Sequence, residues 1–131
     1  PRIQPLSREK TDAVTKLKII VVNCRSLKNK KEEFGALVEL VKPHVVVGTE
    51  SWLNDTITDS EIFPPNYTAY RKDRNVHGEG VFVLVHSAIS SVPINLNTPS
   101  CETVWCKVIL ANGSAMAIGS FCRPPSQKDP E

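Results

Sequence analysis

Two polar residues stand where apolar runs stop. Asn23 follows "IIVV" (19–22), and Glu50 follows "VVVGT" (45–49). A carboxamide and a carboxylate are hard oxygen donors, and such donors suit Mg²⁺, with Mn²⁺ as a substitute. Magnesium takes one or two carboxylates, keeps several waters and recruits substrate phosphate for the rest. In open α/β sheets ligands bind outside the carboxyl ends of the strands. If the two runs are neighbouring parallel strands, their backbones lie ~4.8 Å apart, and the amide and the acid converge on one spot. Asparagine after a strand is also a common turn residue, and Thr-Glu can simply open a loop, so the spacing leaves both readings open.

The elements that would position this pair can be read from the pattern. "LKIIVV" (17–22) is a β-branched apolar run, which suits a strand covered on both faces. A helix follows, with Asn29 as N-cap and Glu32 three residues on in capping-box position. Phe34, Leu37, Val38 and Val41 form one apolar stripe, and Pro43 ends it. "VVVG" (45–48) is the second strand, which makes a βαβ unit with parallel strands. Residues 53–66 read as a polar loop with Pro64-Pro65. "YTAYR" (67–71) and "VFVLV" (81–85) read as further strands around a Gly-containing turn that holds His77. "TVWCKVIL" (103–110) and "SAMAIGSF" (114–121) flank Asn112-Gly113, a strong hairpin signal. The order predicts a mixed sheet with at least one packed helix, class α/β or α+β.

Composition bounds the function. The 131 residues suit one domain, and an apolar content of 40 % allows a core. The net charge of +2 conceals an asymmetry: residues 1–31 carry +7 and the remainder −5. A basic front end attracts polyanions, though it is also what a solvated arm looks like. Four cysteines (Cys24, Cys101, Cys106, Cys122) form no C-x-x-C pair, which argues against a zinc site. With no visible signal peptide they read as reduced thiols of a nuclear or cytoplasmic, not secreted, protein. No apolar run approaches the ~18 residues of a membrane span. Residues 1–16 read as a polar basic arm, 17–126 as the folded part and 127–131 as a cut end or linker. The start at Pro1 rather than Met raises the expectation of a fragment.

The series "IIVVNCRSL", "HVVVGTESWL", "YTAYRKDR", a glycine-containing turn and "SFCRPPS" resembles the exonuclease–endonuclease–phosphatase superfamily. More narrowly, it is similar to the abasic-endonuclease-like domain of non-LTR (LINE-like) retrotransposons. The likeness runs from about Leu17 to Ser126, and its specificity lies in five weak pieces in the right order. The resemblance implies a four-layer α/β/β/α sandwich, of which this chain would build one half, one mixed sheet with a packed helix. It implies Mg²⁺-dependent phosphodiester hydrolysis, nicking DNA to prime reverse transcription. Glu50 would be the metal-binding and catalytic glutamate, and Asn23 the asparagine supporting metal or phosphate. Arg71, Arg74 and Arg123 would lie near the DNA-facing rim. Tyr67, Tyr70, Trp52 and Trp105 are assigned to packing. Partners would be DNA, the missing carboxyl-terminal half of the domain and a downstream reverse transcriptase.

Departures from the family pattern set further expectations. No Asp-x-Asn segment follows residue 122, and no terminal Asp-His pair exists; His44, His77 and His86 all lie too early to be the family's general base. Cys122 stands where a tyrosine is usual, and Glu79 interrupts the glycines. The chain alone is therefore expected not to cut DNA. With one sheet face wet over on the order of 800 Å², about 20 kcal/mol of burial would be lost, which implies poor solubility or dependence on the missing half. Two other readings stay open: a remnant that binds nucleic acid without cutting it, and a phosphatase of the same superfamily.

Overall fold

The computed structural model describes residues 16–73, 79–96 and 102–122. Its elements are β1 (Ile19–Asn23), a 3₁₀ turn (Lys28–Lys30), α1 (Lys31–Val41), β2 (Val45–Thr49), α2 (Asp59–Ile62), β3 (Tyr67–Lys72), β4 (Val81–His86), β5 (Ser90–Ile94), β6 (Glu102–Ile109) and β7 (Ala115–Cys122). They form a mixed four-stranded sheet, order β1-β2-β4-β3, and an antiparallel three-stranded sheet, order β5-β6-β7. The fold is an α+β sandwich.

β1 and β2 are parallel, as the βαβ pattern requires, with Asn23 opposite Thr49. β4 lies antiparallel between β2 and β3. All of Val81–Val85 is buried because both faces of this strand are covered. Phe82 and Leu84 join Val46, Phe34 and Val38 in the cluster under α1, while Val83 and Val85 join Val45, Cys106, Val108 and Ile118 between the sheets. Alternate residues of one apolar run thus serve two cores.

The helix departs from expectation at its start. Asn29 falls inside the 3₁₀ turn, the N-cap is Lys30 and no side chain caps it, so no capping box forms at Asn29 and Glu32. The other end is as expected: Lys42 adopts φ 52°, its N–H donates to the Val38 carbonyl, and Pro43 follows. The capping box sits instead at α2, where the Thr58 N–H donates to Glu61 Oε1 at 2.7 Å. The segment read as a polar loop therefore contains a helical turn, with Leu53, Ile62 and Phe63 buried beneath it.

The sheet count also differs from the expected single mixed sheet. The Asn112-Gly113 hairpin forms, with Gly113 at φ 91° and its N–H donating to the Leu110 carbonyl. It belongs to a second sheet that packs on the inner face of the first. β5, an edge strand, where proline such as Pro93 is tolerated, completes that sheet. Most of the face expected to be wet is thereby covered from within the chain. What stays open is β1, whose Ile19 and Val21 are 41 % and 74 % exposed.

Cys24 and Cys106 are buried free thiols. No helix among the described residues is long and apolar enough to cross a membrane. The arm up to residue 15, Arg74, His77, Cys101, Arg123 and the end from 124 lie outside the described residues.

Candidate metal centre

The parallel ladder of β1 and β2 does not stop where the strands do. The Cys24 N–H donates to the Thr49 carbonyl at 2.9 Å, Ser26 to Glu50 at 3.0 Å, and Leu27 to Ser51 at 3.0 Å. On the other side, the Ser51 N–H donates to Gly80 and Trp52 to Glu79. Glu50-Ser51-Trp52 is thus clamped by backbone bonds from two flanking loops. Within this clamp Arg25, Ser26, Glu50 and Trp52 all hold left-handed backbone, φ 48°, 81°, 54° and 57°. Such conformations cost side-chain-bearing residues about 1–3 kcal/mol each and persist where surroundings over-determine them, which is common at functional sites.

Two close approaches set the position of Glu50. The Phe82 ring lies against Gly48, so that a Cβ there would come within 2.2 Å of it. The buried Ser120 hydroxyl donates to the Gly48 carbonyl at 2.7 Å, joining the second sheet to the strand that delivers the glutamate.

At this edge the Asn23 amide donates from Nδ2 to Glu50 Oε2 at 3.0 Å. The two side chains that the sequence singles out are in direct contact on one edge of the sheet. Asn23 Oδ1 and Glu50 Oε1 keep their lone pairs and take no hydrogen bond among the described residues. Asn23 is exposed and Glu50 half-buried, so the pair lies at the protein surface. Cys24, next to Asn23 in the chain, is buried. Burial pushes its thiol up to about 11, Lys30 opposing and Glu50 adding to the shift.

No family model matches the chain. No curated protein matches its sequence.

The remaining expected site residues are not gathered here. Arg71 ends at the same edge of the sheet, but its donors are committed: Nε and Nη2 to Asp73 at 2.8 and 3.0 Å, Nη1 to Asp59 at 2.8 Å, and Nη2 to the Asn54 carbonyl at 2.9 Å. The hydrogen bond to Asp73 holds its pKa above the ordinary value, against burial. Its guanidinium ties the 54–59 segment to β3 rather than facing a ligand. Arg74 and Arg123 lie outside the described residues. The tyrosines pack as expected: Tyr67 donates to the Pro43 carbonyl at 2.6 Å, and the Tyr70 hydroxyl meets Ser91 at 2.7 Å. The Trp105 ring lies against Gly119 on the hairpin.

Sequence reasoning missed two features of this edge. One is the buried Ser51, 1 % exposed, whose hydroxyl has no partner among the described residues. The other is a cationic rim: Arg25, Lys28, Lys30 and Lys31 are all exposed, on the loop, the 3₁₀ turn and the first residue of α1 that follow Asn23. The charge count carried the signal for the second, but it was spread over residues 1–31 instead of being placed beside the strand end.

Proposed function

We propose that this chain is the amino-terminal part of a Mg²⁺-dependent phosphodiesterase domain that nicks DNA, of the type found in non-LTR retrotransposons. The observation that carries the reading is the Asn23–Glu50 contact at the carboxyl edge of two parallel strands. The donor set fits the ion: one carboxylate and one amide oxygen are what Mg²⁺ takes from a protein when waters and phosphate complete its shell. Among the described residues no group of three or more His, Cys, Asp or Glu gathers around a common point, so the reading rests on the carboxylate–amide pair alone. When bound, the ion supplies charge stabilisation at the scissile phosphate.

The chain's own residues do the rest. Asn23 donates to one oxygen of Glu50 and so fixes which oxygen faces outward. The clamp around Glu50-Ser51-Trp52 holds the carboxylate without side-chain search. Arg25, Lys28, Lys30 and Lys31 offer a nucleic-acid backbone sequence-independent attraction that weakens with salt. These cations also favour a second reading, binding without cutting. Open surfaces support the need for more chain. Among the described residues β7 has no neighbour on its outer side, and the inner face of β1 lies bare at Val21; further strands placed there would cover these margins and bring the missing acid–base groups.

The test is nicking of supercoiled plasmid by the chain alone and by the chain joined to the coding sequence that follows it. The longer form is expected to nick with Mg²⁺, to stop with EDTA, and to lose on the order of 100-fold on Glu50→Gln, as weakened metal affinity implies. The chain alone is expected to bind DNA in a salt-dependent way without nicking. Metal-independent cutting, or no effect of Glu50→Gln, would refute the proposal.

A further inference from the structure

A second site lies at the other end of the same sheet, about 17 Å along β2 from Glu50 at ~3.3 Å per residue. There a cavity of about 400 Å³ opens beside the end of α1, within the range of small-molecule sites. Its apolar lining comes from Val38, Pro43, Pro64 and Ile89, and its aromatic lining from Tyr67. His44 and His86 complete it, with Lys42 and Glu39 on the helix side.

The polar groups have a definite sense. His44 Nδ1 accepts the Lys18 backbone N–H at 2.8 Å, and His86 Nδ1 accepts that of Ala88 at 3.1 Å. A neutral imidazole that accepts at Nδ1 carries its proton on Nε2. Burial lowers the pKa of His44, with His86 and Lys18 adding to the effect, which keeps that ring neutral and Nδ1 able to accept. Both rings are therefore held as Nε2–H donors. To ligate a metal or act as a base through Nε2, either would have to carry its proton on Nδ1, against a backbone N–H. The Tyr67 hydroxyl is committed to Pro43, and its ring stands edge-on to His86, centroids 5.2 Å apart, fixing that imidazole's plane. Glu39 is paired with Lys42 at 3.4 Å. The cavity thus offers two imidazole donors, the Lys42 ammonium at the rim and apolar walls, with Glu39 Oε2 turned to Lys42 at the exposed edge.

We infer that this cavity is a binding site for a small carboxylate with a planar apolar body, the carboxylate accepting from the imidazole Nε2–H groups and the body lying against proline, tyrosine and isoleucine. The site is independent of the proposed metal centre, none of whose residues lines it.

Benzoate titrated into the full 131-residue chain and followed by two-dimensional NMR tests this. Saturable shifts are expected at the rings of His44, His86 and Tyr67, with a Kd on the order of millimolar, as suits so small a probe. The amides of Asn23 and Glu50 should not move. Benzylamine, which carries the same body on a cation, and inorganic phosphate, an anion without the body, should leave the cavity resonances unchanged. His86→Phe keeps the ring contact with Tyr67 and removes the donor, and benzoate should then bind at least fivefold more weakly. If that variant does not fold, Lys42→Gln at the exposed rim should weaken benzoate about threefold through lost charge attraction. Absence of saturable shifts with benzoate overturns the inference. So does equal binding of benzylamine or phosphate, or unchanged affinity in the variant that folds.

Discussion

Glu50 combines a left-handed backbone, φ 54°, with a carboxylate bonded to Asn23. Strain and function can be separated there. Glycine adopts positive φ without cost, whereas alanine keeps most of the penalty. Glu50→Gly is expected to be more stable than Glu50→Ala by about 1 kcal/mol in urea unfolding, although both lose the carboxylate. Equal stabilities would mean that the clamp imposes no strain. Arg71 makes the opposite case, a residue kept for the fold. Its charge-assisted bonds to Asp73 and Asp59 are partly buried, with the Arg71 side chain only 15 % exposed. Arg71→Ala should cost about 2–3 kcal/mol and leave cation binding at Glu50 intact; a variant of unchanged stability would contradict its role in tying the 54–59 segment to β3. His44 sets a pH dependence. Its folded pKa lies below the unfolded value of 6.5, so the unfolded chain binds the proton more readily and stability falls as pH drops through about 6.5. Glu102, whose pKa is raised chiefly by burial, works in the opposite direction at lower pH, because its charged form is the costly one. The informative measurement is the difference between the chain and His44→Gln, whose urea midpoint should be flatter between pH 7.5 and 5.5 on the order of that window. Asn23 and Glu50 were legible in the sequence because each terminates a β-branched run. Ser51 and the positive φ of Ser26 were not, since nothing in local pattern encodes a conformation imposed by hydrogen bonds from a distant loop.

At the scale of elements, Gly48 is where packing and site meet. Phe82 occupies the space a Cβ would need, and the ring also contacts Phe34 and Phe63, centroids 5.9 and 5.0 Å away. Gly48→Ala must therefore push the ring or the strand, at a cost of about 1–3 kcal/mol, with chemical-shift changes that reach Glu50. An unperturbed variant would show that β2 is not held from this side. The same elements show what periodicity can and cannot reveal. β1, β2, β4 and the Asn112-Gly113 hairpin were readable because buried β-branched runs and turn residues are local signals. The start of α1 was misread because Asn29 and Glu32 have capping-box spacing, yet the chain enters through a 3₁₀ turn that places Lys30 at the cap. β5 went unread because Pro93 and the two serines, Ser90 and Ser91, mask the strand signal of Val92 and Ile94, and pairing with β6 makes Ser90–Ile94 a strand.

The molecule as a whole is a helix layer on a mixed sheet on a second sheet, with two open margins. Alternation within each strand was visible in the sequence, but which sheet a hairpin joins is a long-range fact, so the second sheet could not be assigned beforehand. Its presence reduces the expected wet face to β1. There Val21, 74 % exposed on an edge strand, is the kind of surface that natural proteins protect with lysine. Val21→Lys should shift a concentrated sample toward monomer in sedimentation velocity while the spectrum of the fold is unchanged. A chain already monomeric at high concentration would show that this margin needs no cover. The central claim, that Asn23 and Glu50 form a divalent-cation site, is tested most directly by adding Mn²⁺ below one equivalent and mapping paramagnetic broadening. The account predicts broadening centred on the Asn23 side-chain amide and the Glu50 and Ser51 backbone amides, reversed by excess Mg²⁺ and abolished by Glu50→Gln. Broadening that persists in Glu50→Gln, or that centres on Asp59 and Asp73 instead, would contradict it.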